Sequence, residues 1–154
     1  MNYTERNKNI NRGFRKLEIW QEAVKLFKFL KQKIDSINSI SYKTKAQIED
    51  SALSVSSNIA EGYARRSIKE NIQFNNIALA SLAENYSQTY NLYNAEIIEE
   101  EWFNSYDELH YSLENKLINF NKAQIKMLKN SDEWRDDYIV KELIEKYDIK
   151  RLDD

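Results

Sequence analysis

The 154-residue chain contains no cysteine and no proline, and its only glycines are Gly13 and Gly62. Without cysteine there is no disulfide framework, no thiol nucleophile and no zinc site of the cysteine type. Two isolated glycines leave no room for a phosphate-cradling glycine loop. A chain so poor in breakers, yet rich in long spaced apolar patterns, reads as a helix bundle; a sheet protein would need turn chemistry that is missing. No apolar run approaches the length that spans a bilayer, and Met1–Arg12 is polar and Asn-rich, without the apolar core of a signal peptide. The expected setting is the cytoplasm, with no membrane partner. Histidine is nearly absent as well. His110 stands alone, and since histidine ligands come in sets, a structural or surface role is expected of it. Nothing resembles a strained nucleophile turn or an oxyanion hole. No catalytic residue, metal or cofactor is therefore expected, and the chain reads as non-enzymatic.

The formal net charge is −2 and the isoelectric point about 5.6, which counts against a strong general nucleic-acid binder, because nonspecific affinity for phosphate needs a basic surface. The average hides a gradient. Arg6, Lys8, Arg12, Arg15, Lys16, Lys25, Lys28, Lys31 and Lys33 face only Glu5, Glu18 and Glu22, whereas Glu99–Glu101, Asp132–Glu133 and Asp136–Asp137 make the later part acidic. A basic end on an acidic molecule can still touch RNA locally.

The length fits one domain. Residues 1–13 read as a flexible arm, 14–130 as the bundle and 131–154 as a helical extension. The first helix, Phe14–Ser36, carries the seam Leu17, Trp20, Val24, Phe27, Leu30 and Ile34 at three- and four-residue intervals. Ser36–Ser41 is a polar loop, and a second helix spans Tyr42–Glu61. The third, Ile68–Ala95, has Glu84 as its only charge between Glu70 and Glu96, with Phe74, Ala78 and Ser81 on one face and Leu79, Tyr86, Tyr90 and Tyr93 on another. A helix uncharged on two faces suits burial by a partner chain, since no helix of a four-helix bundle is surrounded by its own neighbours. The fourth, Glu100–Lys129, has the seam Trp102, Tyr106, Leu109, Leu113, Leu117, Phe120, Gln124 and Met127, and Glu99–Glu101 sit where the helix dipole favours them. Ser131 is expected to cap a short fifth helix, Asp132–Tyr147.

The densest polar motif runs from Ser54 to Arg66. At about 100° per residue, Ile48, Ala52, Val55, Ile59 and Tyr63 share one side of the second helix, while Gln47, Ser51, Ser54, Asn58 and Glu61 form a strip roughly 110° away. Small polar groups suit close helix approach, so this strip is expected to be buried. Gly62 is expected to end the helix in the left-handed conformation, and Ser67 with Glu70 to reopen the next as a capping box.

This motif, together with Phe14–Gln21, Gln47 and Ile77–Glu84, resembles the bacterial four-helix-bundle proteins encoded by intervening sequences of large-subunit (23S) ribosomal RNA genes, whose relatives include the accessory protein of diversity-generating retroelements. The likeness thins out in the fourth helix and does not reach the extension. It implies an all-α, up-down antiparallel four-helix bundle, here with a short extra C-terminal helix, and a homo-oligomer that is a ring of five subunits. The partners it implies are further copies of the chain and RNA or a nucleic-acid-processing protein.

Ser54, Asn58, Glu61 and Glu84 are the residues expected to form a polar network or an oligomer interface. Glu61 and Glu84, isolated among uncharged residues, suit ion pairs with arginine better than acid–base work, for which no pocket or substrate is visible. Arg12, Arg15, Lys16, Arg65 and Arg66 are the candidate nucleic-acid contacts. Arg65 and Arg66 are equally open to solvation or to pairing with Glu61 or Glu84. Tyr86, Tyr90 and Tyr93 could stack on bases, although this spacing more often serves helix packing. The competing reading is a protein–protein interaction module without nucleic-acid contact.

Overall fold

A computed structural model describes residues 10–65 and 67–129. The expected fifth helix and Arg66 lie outside the described residues. Among the described residues every element is helical: a 3-10 helix Ile10–Lys16, then α1 Glu18–Ser36, α2 Tyr42–Arg65, α3 Ile68–Asn94 and α4 Glu100–Lys129. Consecutive helices pack on one another and α4 returns to α1, so the four enclose a single core.

The first helix does not begin at Phe14. Leu17 is extended, at φ −71° and ψ 125°, and separates the 3-10 helix from α1. Residues 10–13, read as part of the arm, lie in this 3-10 helix. The face of α1 also differs from the expected seam. Ile19, Ala23, Leu26, Leu30 and Ile34 are buried, Trp20 and Phe27 lie at the boundary, and Val24 is 39% exposed. Large aromatics drew the seam towards themselves, but wide side chains reach the core from the flank of a helix. Phe29 does so from another flank, stacking on Trp102 at 5.0 Å.

Loop 37–41 reverses the chain at the expected place, and Ser41 Oγ caps α2 by accepting the Thr44 N–H at 3.1 Å. The apolar side of α2 is buried as expected at Ile48, Ala52, Val55 and Ile59. Gly62 does not end this helix. It sits inside α2 with an ordinary negative φ, where an added Cβ would lie 2.8 Å from Phe74 Cβ and 3.3 Å from Asn71 O. Close crossing of α2 and α3 is what this position demands. Ser67 caps α3, its Oγ accepting the Glu70 N–H at 3.4 Å. The left-handed residue is instead Glu96, at φ 58°, where Ile97 N–H bonds Leu92 O at 2.9 Å and closes the end of α3.

The face that α3 turns inward is largely polar. Asn71, Asn75, Ser81, Asn85 and Thr89 are buried beside Ala78, Leu82 and Leu92. Asn85 Nδ2 donates to Ile48 O and Ser51 Oγ, each at 2.9 Å, and Ser51 Oγ donates to Gln88 Oε1 at 2.7 Å. At the other end, Asn75 Nδ2 donates to Asn71 Oδ1 at 2.7 Å and Asn121 Oδ1 at 3.0 Å. Part of the charge depletion of α3 therefore has an intramolecular origin: a buried helix face excludes charge and accepts amides that are hydrogen-bonded.

Candidate nucleic-acid interface

The 3-10 helix carries Arg12, Arg15 and Lys16, and three contacts fix it to the bundle. Gly13 lies directly under the Tyr63 ring, leaving no space for a Cβ. Phe14 meets Trp20 edge-on at 5.3 Å and Tyr63 at 6.5 Å. Gln21 Nε2 then donates to Arg15 O at 2.9 Å. Because Tyr63 belongs to the last turns of α2, this docking brings Arg12, Arg15 and Lys16 to the end of the molecule where Arg65 stands.

Arg65 is exposed, donates to Glu61 Oε1 at 2.6 Å and lies over the Phe74 ring at 5.2 Å. The hydrogen bond to Glu61 raises its pKa further, so the guanidinium stays charged. Lys69 sits in the first turn of α3, and Lys122 and Lys126 lie exposed near the end of α4. The Asn75–Asn121 bond holds those two helix ends together. Lys116 occupies the same half but is held by Glu18 at 2.5 Å and by Glu22. Arg12, Lys16, Lys69, Lys122 and Lys126 have no carboxylate partner among the described residues.

The opposite end is the more acidic one, although Lys33, Lys43 and Lys45 of α1 and α2 also stand there. Glu96, Glu99, Glu100 and Glu101 gather where α3 passes to α4, and Lys33 answers Glu99 there, lowering the pKa of its carboxyl. The bundle is polarised along its length, a property that depends on folding as well as on sequence order. The cationic end offers guanidinium and ammonium donors from four elements to phosphate oxygens.

The other expected site residues fall elsewhere. Ser54 Oγ bonds Ser81 Oγ at 2.9 Å, and Asn58 Nδ2 donates to Ser54 O at 2.8 Å and Ser54 Oγ at 2.9 Å. The small-polar strip is thus engaged between α2 and α3 of one chain, while its ends, Gln47 and Glu61, are exposed. Glu84 is exposed too and accepts from Gln88 Nε2 at 3.1 Å on its own helix. Neither Glu61 nor Glu84 is the buried carboxylate that isolation suggested, and the two are not brought together. Lys69, Lys122, Lys126 and the Asn71–Asn75–Asn121 network were not singled out from sequence. Asparagines at i, i+4 on an uncharged helix are the signal that could have found the network. Among the described residues, no group of three or more His, Asp or Glu could hold a metal, and no helix is long and apolar enough to cross a membrane.

Among the described residues, four long helices, of which α2, α3 and α4 are joined by hydrogen-bonded amides, form an all-helical bundle with a cationic pole. The family model described as 23S rRNA-intervening sequence protein matches residues 15–119, more than half of the chain, and the chain belongs to that family. No curated protein matches it.

Proposed function

We propose that the protein is a non-enzymatic, self-associating helical scaffold of the cytoplasm that works beside ribosomal RNA or a protein that handles it. The bundle is read as up-down and antiparallel, because bonded pairs descend one helix as they climb the next: Ser51–Gln88 and Ser54–Ser81, then Asn75–Asn121 and Asn85–Tyr106.

The observation that carries self-association is the outer face of α3. Gln73, Asn76, Ile77, Ala80, Ala83, Ser87, Tyr90 and Asn91 are exposed along it, and Glu84 is the only charge among them. Covering such a face strips water from almost no charge and brings small residues into close contact. Intramolecular packing accounts for the inner face of α3 but leaves this outer one open. The five-membered ring is the state that the family resemblance implies. Contact with RNA is assigned to the cationic pole, where Arg12, Lys16, Lys69, Lys122 and Lys126 have no carboxylate partner among the described residues.

A second reading is a protein-binding module without nucleic acid. It is favoured by the ion pairs that engage Lys31, Lys33, Arg65 and Lys116 on a molecule of net charge −2. Light scattering on the gently purified protein, with the 260-to-280 nm absorbance ratio followed across the peak, separates the readings. A pentamer-sized species whose raised ratio falls on adding salt supports the first. The Arg12→Glu/Lys16→Glu variant should then keep the oligomer and lose the nucleic acid. A monomer ends the scaffold reading, and an oligomer free of nucleic acid favours the second.

A further inference from the structure

A cleft of about 350 Å³ opens between α3 and α4, lined by Ala83, Tyr86, Asp107, His110, Tyr111 and Glu114. Asp107, His110, Tyr111 and Glu114 follow at i, i+3, i+4 and i+7, so they share one face of α4, with the two carboxylates two turns apart. Neither carboxylate has a cationic partner among the described residues. Tyr86 reaches across from α3. Burial, followed by the neighbouring Asp107 and Glu114 carboxylates, raises the pKa of its phenol.

His110 is the second, independent observation. It is only 4% exposed and forms part of the cleft wall, with the Tyr86 ring centroid 5.0 Å from its own. Nε2 lies 2.9 Å from Leu82 O, and a carbonyl can only accept, so Nε2 carries the proton. In the neutral ring Nδ1 is then an acceptor, and it has no partner among the described residues. The cleft thus combines two carboxylates, an unused imidazole nitrogen and the rings of Tyr86 and Tyr111, with no lysine or arginine on its wall.

We propose that this cleft is a binding site for an organic dication, with the chemistry of a short linear diamine or polyamine. One ammonium pairs with Asp107 and the other with Glu114, the methylene chain lies along the Tyr86 and Tyr111 rings, and His110 Nδ1 accepts a further N–H. Ammonium groups are all-donor and match a wall that offers acceptors. Rings beside the path favour a cation over a hydrated metal ion. The site lies apart from the cationic pole and operates whether or not RNA is bound there.

The chain's single histidine makes the test specific, because its imidazole NMR signals report from this cleft alone. Putrescine should move those signals to saturation, and n-butylamine, with one ammonium, should bind at least about tenfold more weakly. Asp107→Asn and Glu114→Gln should each weaken putrescine by about tenfold, while Glu108→Gln, an exposed neighbour, should leave it unchanged. Both cleft substitutions remove charge at partly exposed positions and should leave the far-UV circular dichroism intact. Should either variant fail to fold, the other carries the comparison, together with the butylamine arm on the unaltered chain. Signals that drift without saturating, equal binding of butylamine, or unchanged binding by the folded variants would overturn the proposal.

Discussion

The Tyr106 hydroxyl donates to Asn85 Oδ1 across 2.8 Å, and both residues are completely buried. Through Asn85 Nδ2 this bond continues to Ser51 Oγ and Ile48 O, so one amide links α2, α3 and α4. Side chains of mixed polarity would otherwise allow α3 to rotate or slide. A satisfied amide at this depth permits one register, since any slip leaves buried donors unpaired.

Tyr106→Phe leaves Asn85 Oδ1 without its donor while preserving the ring. The variant should lose about 1–3 kcal/mol, the desolvation penalty of an unpaired buried acceptor. Urea unfolding should show a lower midpoint with an unchanged slope. An unaltered midpoint would mean that the bond contributes nothing to stability.

Burial raises the Tyr106 phenol above its ordinary value, and Tyr86 is raised by burial and then by Asp107. An unfolded tyrosine titrates near pH 10 and the folded ones higher, so above that pH the native state holds protons the unfolded chain has released. The stabilisation is complete below about pH 10 and declines as pH rises further. Urea midpoints compared at about pH 8 and about pH 11 should fall steeply for the wild type and less steeply for Tyr106→Phe.

Gly62→Ala tests the close crossing of α2 and α3. Helix propensity favours alanine by about 1 kcal/mol. Overpacking against Phe74 and Asn71 opposes it by about 1–3 kcal/mol. Thermal unfolding should therefore start at a lower temperature, and a gain in stability would show that the helices can separate without loss.

Glu96→Gly addresses the left-handed residue at φ 58°. Relief of about 1–2 kcal/mol of strain competes with about 0.5–1 kcal/mol of added unfolded-state entropy. The variant should be up to about 1.5 kcal/mol more stable in urea, against the usual direction for glycine substitutions.

Ala80→Glu places a second carboxylate, one turn from Glu84, in the middle of the charge-poor outer face of α3, at a position exposed in the single chain. The helix content should not change, as measured by circular dichroism. On the proposed self-association through this face, light scattering should show monomers in place of the oligomer, because a carboxylate trapped between chains without a partner is strongly unfavourable.

Composition and periodicity were enough to determine four helices and their approximate limits. With no proline inside an element, and with a hydroxyl-bearing cap at Ser41 and Ser67, local chemistry decides where helices run. The inner side of α2 was legible because Ile48, Ala52, Val55 and Ile59 recur at helical spacing on one stripe. The inner side of α3 was not, because Asn71, Asn75 and Asn85 read as surface residues until partners on α2 and α4 are placed against them. Gly62 was recognisable as exceptional, yet its role depended on how near Phe74 comes. The same holds for charge. Sequence order gave Arg12, Lys16 and Arg65 as separate clusters, and only the docking of Gly13 and Phe14 on Tyr63 set them at one pole. Helical period and capping act within a few residues, so the sequence determined them by itself. Which polar groups meet, and which charges share an end, depends on contacts between residues far apart in the chain, and the tertiary structure decided those.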